Sequence, residues 1–135
     1  MSHCHDSYLY VQLFAECTPD PIASNVNSTH RVVLDNHRGL DLFDVTVTVT
    51  LPPPSDNALA LGPGGGPWTH QLGSVRKRGS AGAGVKVINL ARQPAPFTAE
   101  VHTTATWTVS ASQPLANGVP APVESLDCHC RPGVS

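Results

Sequence analysis

Charged side chains are scarce in this sequence. Asp, Glu, Lys and Arg make up 13% of its 135 residues, roughly half of the ~25% that is usual for globular proteins. The formal net charge is only −2 at pH 7. Because nucleic acids and anionic membrane surfaces are bound through clustered positive charge, we expect neither as a partner of this chain.

Long apolar runs are missing as well. No stretch approaches the roughly 18 to 20 consecutive apolar residues that a membrane-spanning helix needs, so no span is expected. Residues 1–6 contain neither the basic segment nor the apolar segment of a secretory signal. We therefore expect no secretory signal in this sequence.

Catalytic signatures are also absent. The sequence has no Gly-X-Ser-X-Gly nucleophile elbow. The Gly-rich residues 62–66 lack the Gly-Lys-Ser/Thr ending of a phosphate-binding loop. No pair of acidic residues can be picked out with a geometry suited to acid and base catalysis. We predict that the protein is not an enzyme.

A strong period-two pattern is present. In residues 44–52, three valines and a leucine alternate with threonines, which gives a strand one apolar face and one polar face. Residues 97–112 repeat this pattern over a longer stretch, with Trp107 on the apolar face. Both segments predict β-strands in a sheet that is buried on one side.

The whole chain reads as a series of such short strands. Six to eight of them, the first over residues 8–15, are separated by turns that the 13 Pro and 11 Gly supply. This predicts an all-β fold, an Ig-like antiparallel β-sandwich of about seven strands. Residues 1–135 are expected to form one domain, with a core over about residues 8–126. Trp68 and Trp107 are predicted core anchors, and His30 is predicted to be a surface residue.

Several short motifs follow one another in a recognisable order. Val-Leu-Asp-Asn at 33–36 is followed by Gly39, the strand 44–52 ending in proline, and Trp68. Leu-Gly-Ser-Val at 72–75 and a Gly-rich turn before Val-Lys-Val at 85–87 complete the series. This order resembles the bacterial Ig-like repeats of the CARDB kind over roughly residues 28–112. The resemblance implies a sandwich fold and no particular activity.

The resemblance also implies a class of function. A freestanding Ig-like domain of this size looks like the decoration or accessory proteins on the capsids and tails of bacterial viruses. On that analogy we expect a non-enzymatic structural or interaction module whose partner is a protein, such as a capsid or tail protein, or a glycan. Such a module can also form a homo-oligomer. Cell-surface adhesion is an alternative role. The same analogy implies a location in the virion, or in the cytoplasm before assembly.

The two ends of the chain are rich in Cys and His. His3-Cys4-His5 and Cys128-His129-Cys130 are mirrored triplets, and the termini of a sandwich can meet in space. Residues two apart on a strand point the same way, so His3 and His5 are predicted to face Cys128 and Cys130. Two imidazoles and two thiolates make a tetrahedral zinc set. Binding of zinc or copper is therefore an alternative function, and structural zinc is the candidate cofactor.

Other readings of these residues stay open. Cys4, Cys17 and His129 are alternate ligands for the same metal. The cysteines can instead form disulfides, with Cys4 or Cys17 joined to one of the carboxy-terminal pair. Cys17 can also be a small buried hydrophobic residue, and His3 and His5 can be disordered ends of the chain.

Overall fold

The protein is all-β in a computed structural model that describes residues 2–92, 94, 96–109 and 123–135. Within these residues eleven strands and one four-residue helix follow in chain order. They are β1 (His3–Tyr8), β2 (Val11–Thr18), β3 (Ser28–Asn36), β4 (Leu42–Thr50), α1 (Ser55–Ala58), β5 (Leu59–Leu61), β6 (Trp68–Val75), β7 (Ser80–Asn89), β8 (Phe97–Thr98), β9 (Val101–Thr108), β10 (Val123–Cys130) and β11 (Gly133–Val134).

The strands form two main sheets that pack face to face. The first has the order β1-β2-β3-β7-β5 and the second the order β10-β9-β4-β6. A small third sheet pairs β11 with β8, and neighbouring strands in all three are antiparallel. The predicted fold class, an all-β antiparallel sandwich, is confirmed.

The core lies between the two main sheets and follows the period-two pattern. Val45, Val47 and Val49 on β4 are fully buried, and Trp107 on β9 is buried with them. These side chains project from alternate positions, so each strand keeps a second face for its threonines. Trp68, also predicted as a core anchor, is only half-buried and packs against the edge of the core.

The predicted number of about seven strands is wrong. The described residues contain eleven strands, because both terminal segments are paired in the sheets: β1 pairs with β2, β10 with β9, and β11 with β8. The predicted first strand, residues 8–15, is divided by a two-residue turn. Leu9 and Tyr10 there have φ angles of 45° and 67°, which fit the two central positions of a type I′ turn. Turns of this type usually carry Asn or Gly, and because Leu and Tyr stand at these positions, no turn was predicted here.

The predicted strand over residues 97–112 is also divided. It is observed as β8 and β9, with Ala99 and Glu100 between them. Residues 110–112 lie outside the described part of the chain. The predicted inward face of this segment is confirmed for β9, where the buried side chains alternate with half-buried ones.

Close packing of β7 on β3 generates a test of the sheet. A Cβ added at Gly82 would lie 2.8 Å from the backbone oxygen of Val32, whereas one added at Gly64 would meet nothing within 4 Å. We expect Gly82→Ala to lower the free energy of unfolding by about 1–3 kcal/mol, because the backbone must move to admit the methyl group.

Gly64→Ala is the matched control and should change the free energy of unfolding by less than about 0.5 kcal/mol. Urea unfolding followed by circular dichroism measures both variants. A Gly82→Ala protein as stable as the wild type would contradict the close approach of the two strands.

Candidate functional site

The two ends of the chain meet at the seam where β1 lies beside β10. Pairing of β1 with β2 sets Cys4 opposite Ala15, and Ala15 is fully buried, so Cys4 points inward. Cys128 and Cys130 point inward from β10. Cys4 and Cys128 form a disulfide whose Cα atoms are 5.7 Å apart, within the usual range for such a bond. The backbone N–H of Asp127 donates to a carboxylate oxygen of Asp6 at 3.3 Å across the same seam.

A third cysteine touches this disulfide. The Sγ atom of Cys130 lies 2.8 Å from the Sγ atom of Cys4, and the sulfur atoms of Cys4, Cys128 and Cys130 all lie within 4.8 Å of one another. We call these three residues the thiol cluster. Burial raises the pKa of the Cys130 thiol to about 12, so it is protonated at neutral pH. In its reduced form the cluster offers three sulfur ligands that could hold a metal ion.

The thiol cluster contains only part of the predicted ligand set. The structure brings Cys128 and Cys130 together with the alternate ligand Cys4. His3 and His5 are exposed on the other face of β1, because residues on either side of an inward-facing position must point outward. The alternate ligand His129 is also exposed, and its ring stacks on that of His102 with the centroids 3.7 Å apart.

Cys17, the remaining alternate ligand, belongs to a second buried group. Its Sγ atom lies 3.1 Å from Nδ1 of His30, and Nε2 of His30 lies 2.7 Å from Oγ1 of Thr103. All three side chains are fully buried. We call these three residues the buried line. It runs through the core from the first sheet to the second, since Cys17 and His30 lie on β2 and β3 and Thr103 lies on β9.

The buried line is electrically neutral. Burial raises the pKa of Cys17 to about 12, with smaller contributions in the same direction from Cys130, Asp20 and Glu16. Burial also lowers the pKa of His30 to about 4. A neutral imidazole can donate through one ring nitrogen and accept through the other, so His30 satisfies both neighbours. A thiol held so far from ionisation is a poor nucleophile.

The prediction that His30 is a surface residue is wrong, because its side chain is fully buried. The signal that could have found it is its parity on β3. His30 lies in phase with Ser28, Val32 and Leu34, all of which are fully buried. Val32 and Leu34 are apolar in the sequence, and extending their alternation back by two residues places His30 inside.

An apolar groove lies at the end of the sandwich that carries the β1–β2 turn. Its volume is about 590 Å³, and the ends of several strands contribute to it. We call it the tip groove, and it is lined by Leu9, Tyr10, His37, Arg38, Gly39, Leu40, Val109 and Glu124. Tyr10 is the most exposed large hydrophobic residue in the described part of the chain, with 78% of the residue exposed.

Arg38 fixes the shape of the tip groove. Its Nε donates to the backbone oxygen of Leu9 at 2.6 Å, and its Nη1 donates to Oε1 of Glu124 at 2.6 Å. The indole N–H of Trp107 donates to the same carboxylate oxygen at 3.0 Å. The hydrogen bond from Arg38 is the main reason that the pKa of Glu124 is lowered. The arginine therefore ties the turn, the second sheet and the core together and has its charge neutralised.

No model of a known protein family matches this chain, and no curated protein matches it. Fold and site together define an all-β sandwich protein with a buried cluster of three cysteines at the seam between its sheets. Among the described residues, no helix is long and apolar enough to cross a membrane.

His30 should make stability depend on pH. An imidazole whose pKa is lower in the folded state than in the unfolded state, about 4 against 6.5, takes up its proton on unfolding. Stability should therefore fall as the pH drops from about 6.5 to 4, by about 3 kcal/mol from this residue. Urea unfolding at pH 7 and at pH 4.5 should show a larger loss for the wild type than for His30→Gln.

His5→Gln is the matched control, because it removes an exposed imidazole and should keep the wild-type loss. If His30→Gln lost as much stability as the wild type over this pH range, a buried neutral His30 would be ruled out.

Proposed function

We propose that this protein is a non-enzymatic structural module that works by surface contact, and that it associates with a second copy of itself through the tip groove. The observation that carries the proposal is the exposed Tyr10 beside an apolar groove on the same end of the molecule. A surface with a projection and a matching hollow can bind its own copy about a two-fold axis.

Exposed apolar side chains are concentrated at this end. Five of the seven large hydrophobic residues that are exposed in the described part of the chain lie here, namely Tyr8, Leu9, Tyr10, Leu40 and Val123. Single exposed hydrophobic residues are ordinary, but a contiguous group of them is typical of an interaction surface. The groove volume of about 590 Å³ falls within the range of pockets that enclose drug-sized ligands, so it has room for one aromatic side chain.

The charges of the groove favour an apolar occupant. Arg38 and Glu124 are paired with each other at 2.6 Å, so neither is left to attract a charged ligand. The net charge of −2 also opposes the approach of a second copy only weakly. A tyrosine from the partner copy suits this groove, because its ring is apolar and its hydroxyl group can stay at the solvent-exposed rim.

The buried line of Cys17, His30 and Thr103 supports the non-enzymatic part of the proposal. Among the residues that the structure describes, this group most resembles a nucleophile with its base, yet each member is fully buried and the Cys17 thiol has a raised pKa. A nucleophile needs access to its substrate and a base that can take its proton.

The setting that we propose for such a module is the surface of a virus particle, on the capsid or the tail. The support is the order of strands and turns, which resembles the Ig-like repeats, together with a face suited to association between identical copies. A protein or glycan partner on that surface stays a prediction.

Replacing Tyr10 tests the self-association. Sedimentation velocity should show the wild type shifting from monomer to dimer over a concentration series. The series must reach about 0.5 mM, because a contact confined to one groove buries little surface and is weak. Tyr10→Ser should weaken dimer formation by about 30-fold or more, as expected for loss of an aromatic anchor.

Val26→Ser is the matched control. Val26 is also exposed, but it lies in the β2–β3 connection at the opposite end of the sandwich, so its variant should dimerise like the wild type. A wild type that stays monomeric throughout, or a dimer that Tyr10→Ser leaves intact, would refute association through the tip groove.

The thiol cluster favours a second candidate function, a structural zinc site in the reduced protein. Its three sulfur atoms are close enough to share one ion at the usual Zn–S distance of about 2.3 Å. The ion and the disulfide exclude each other, since a metal ligand must be a free thiolate. Zinc would then join β1 to β10 in place of the covalent bond.

Metal content tests this second candidate. After reduction with a phosphine, one equivalent of zinc should bind per chain, measured by competition with a chromophoric chelator. Cys4→Ser should weaken this affinity by roughly 100-fold, because one of few thiolate ligands is lost. The double variant His3→Gln, His5→Gln should bind as the wild type does. Tight zinc binding that survives Cys4→Ser, or that the double variant loses, would exclude the thiol cluster as the site.

A further inference from the structure

Three cysteines share a space in which only one disulfide can form. Cys4 lies between Cys128, to which it is bonded, and Cys130, whose sulfur lies 2.8 Å from its own. Cys128 and Cys130 are two residues apart on β10, and both are buried. They therefore face Cys4 from the same strand and from the same side.

We infer that Cys4 has two alternative disulfide partners, and that the bond moves between Cys128 and Cys130 by internal thiol–disulfide exchange. In the forward step the Cys130 thiolate attacks Sγ of Cys4, and a Cys4–Cys130 bond forms as the Cys4–Cys128 bond breaks. The electron pair of the broken bond leaves on Sγ of Cys128, which takes up the proton that Cys130 gave up. One thiol and one disulfide are present before and after, so no oxidant or reductant is consumed.

The surroundings of the cluster favour the internal partner over other thiols. Cys130 is fully buried, so an external disulfide or thiol reaches it poorly, whereas Cys4 is already in contact with it. Cys17 is not a comparable competitor for Cys4, because its sulfur faces the imidazole of His30 at 3.1 Å. Burial raises the pKa of Cys130 to about 12. The attacking thiolate is therefore a minor species at neutral pH, and exchange is slow.

Both forms of the bond keep the sandwich closed. Each of them joins β1 to β10, and the bond moves along β10 by two residues, or about 6.6 Å. The free thiol moves in the opposite direction, from Cys130 to Cys128. Neither self-association nor zinc binding is needed for this exchange.

Disulfide mapping tests the exchange on the oxidised, full-length protein. The protein is denatured in acid, which stops exchange, and its free thiols are alkylated with N-ethylmaleimide. Cleavage before Asp6 and Asp127 then gives residues 1–5 linked to residues 127–135. Fragmentation of this linked pair by mass spectrometry shows whether Cys128 or Cys130 carries the alkyl group.

In the wild type, the alkyl group should be divided between Cys128 and Cys130. Cys128→Ser should form the Cys4–Cys130 bond on air oxidation, and Cys130→Ser should keep the Cys4–Cys128 bond. Cys17→Ser is the matched control and should show the wild-type division. Alkylation of Cys130 alone in the wild type overturns the inference, and this result needs no variant to fold. A folded Cys128→Ser protein that keeps Cys4 and Cys130 as free thiols also overturns it.

Discussion

The structure depends on which face of each strand points into the space between the two sheets. Val11, Leu13, Ala15 and Cys17 show this on β2, where all four inward side chains are fully buried. A shift of one residue in any strand would exchange its buried face for its exposed face. The same constraint decides the chemistry of the cysteines, because all four occupy inward positions. Their sulfur atoms meet each other, or His30, and the free thiols of Cys17 and Cys130 are buried where ionisation is costly.

Much of the fold could be predicted from the sequence, because the alternation in β4 and β9 is regular and long. These two strands are neighbours in the second sheet, and their valines and Trp107 fill the core as expected. The number of strands could not be predicted. The segment before the core, HCHDSY, is polar or mixed on both faces and carries no period-two signal. The segment after it, SLDCHC, does alternate, with Leu126, Cys128 and Cys130 buried on one face, but two of these three residues are cysteines and were interpreted as metal ligands or disulfide partners. Both segments form strands because they hydrogen-bond to neighbouring strands, and this pairing exists only in the assembled sheet.

The candidate site could be predicted in part for the same reason. The mirrored triplets correctly indicated that the two ends of the chain meet, and Cys128 and Cys130 do lie together. The inward face of β1 could not be read from His3-Cys4-His5 alone, since both of its faces carry metal-binding residues. The pairing of Cys4 with Ala15 decides it, and that pairing follows from the turn at Leu9 and Tyr10. The tip groove could not be predicted either, because its walls come from segments separated by up to 115 residues, from Leu9 to Glu124.

The position of the disulfide in the chain has a mechanical consequence. Cys4 and Cys128 are separated by 124 residues, so the bond closes a covalent ring that includes every residue between them, and the segments before Cys4 and after Cys128 are two tails outside it. Tension applied to the two tails would pass through the sulfur–sulfur bond and bypass the hydrogen-bonded strands within the ring. Once the tail after Cys128, which contains β11, had been pulled away from β8, the strands inside the ring would carry almost none of the load.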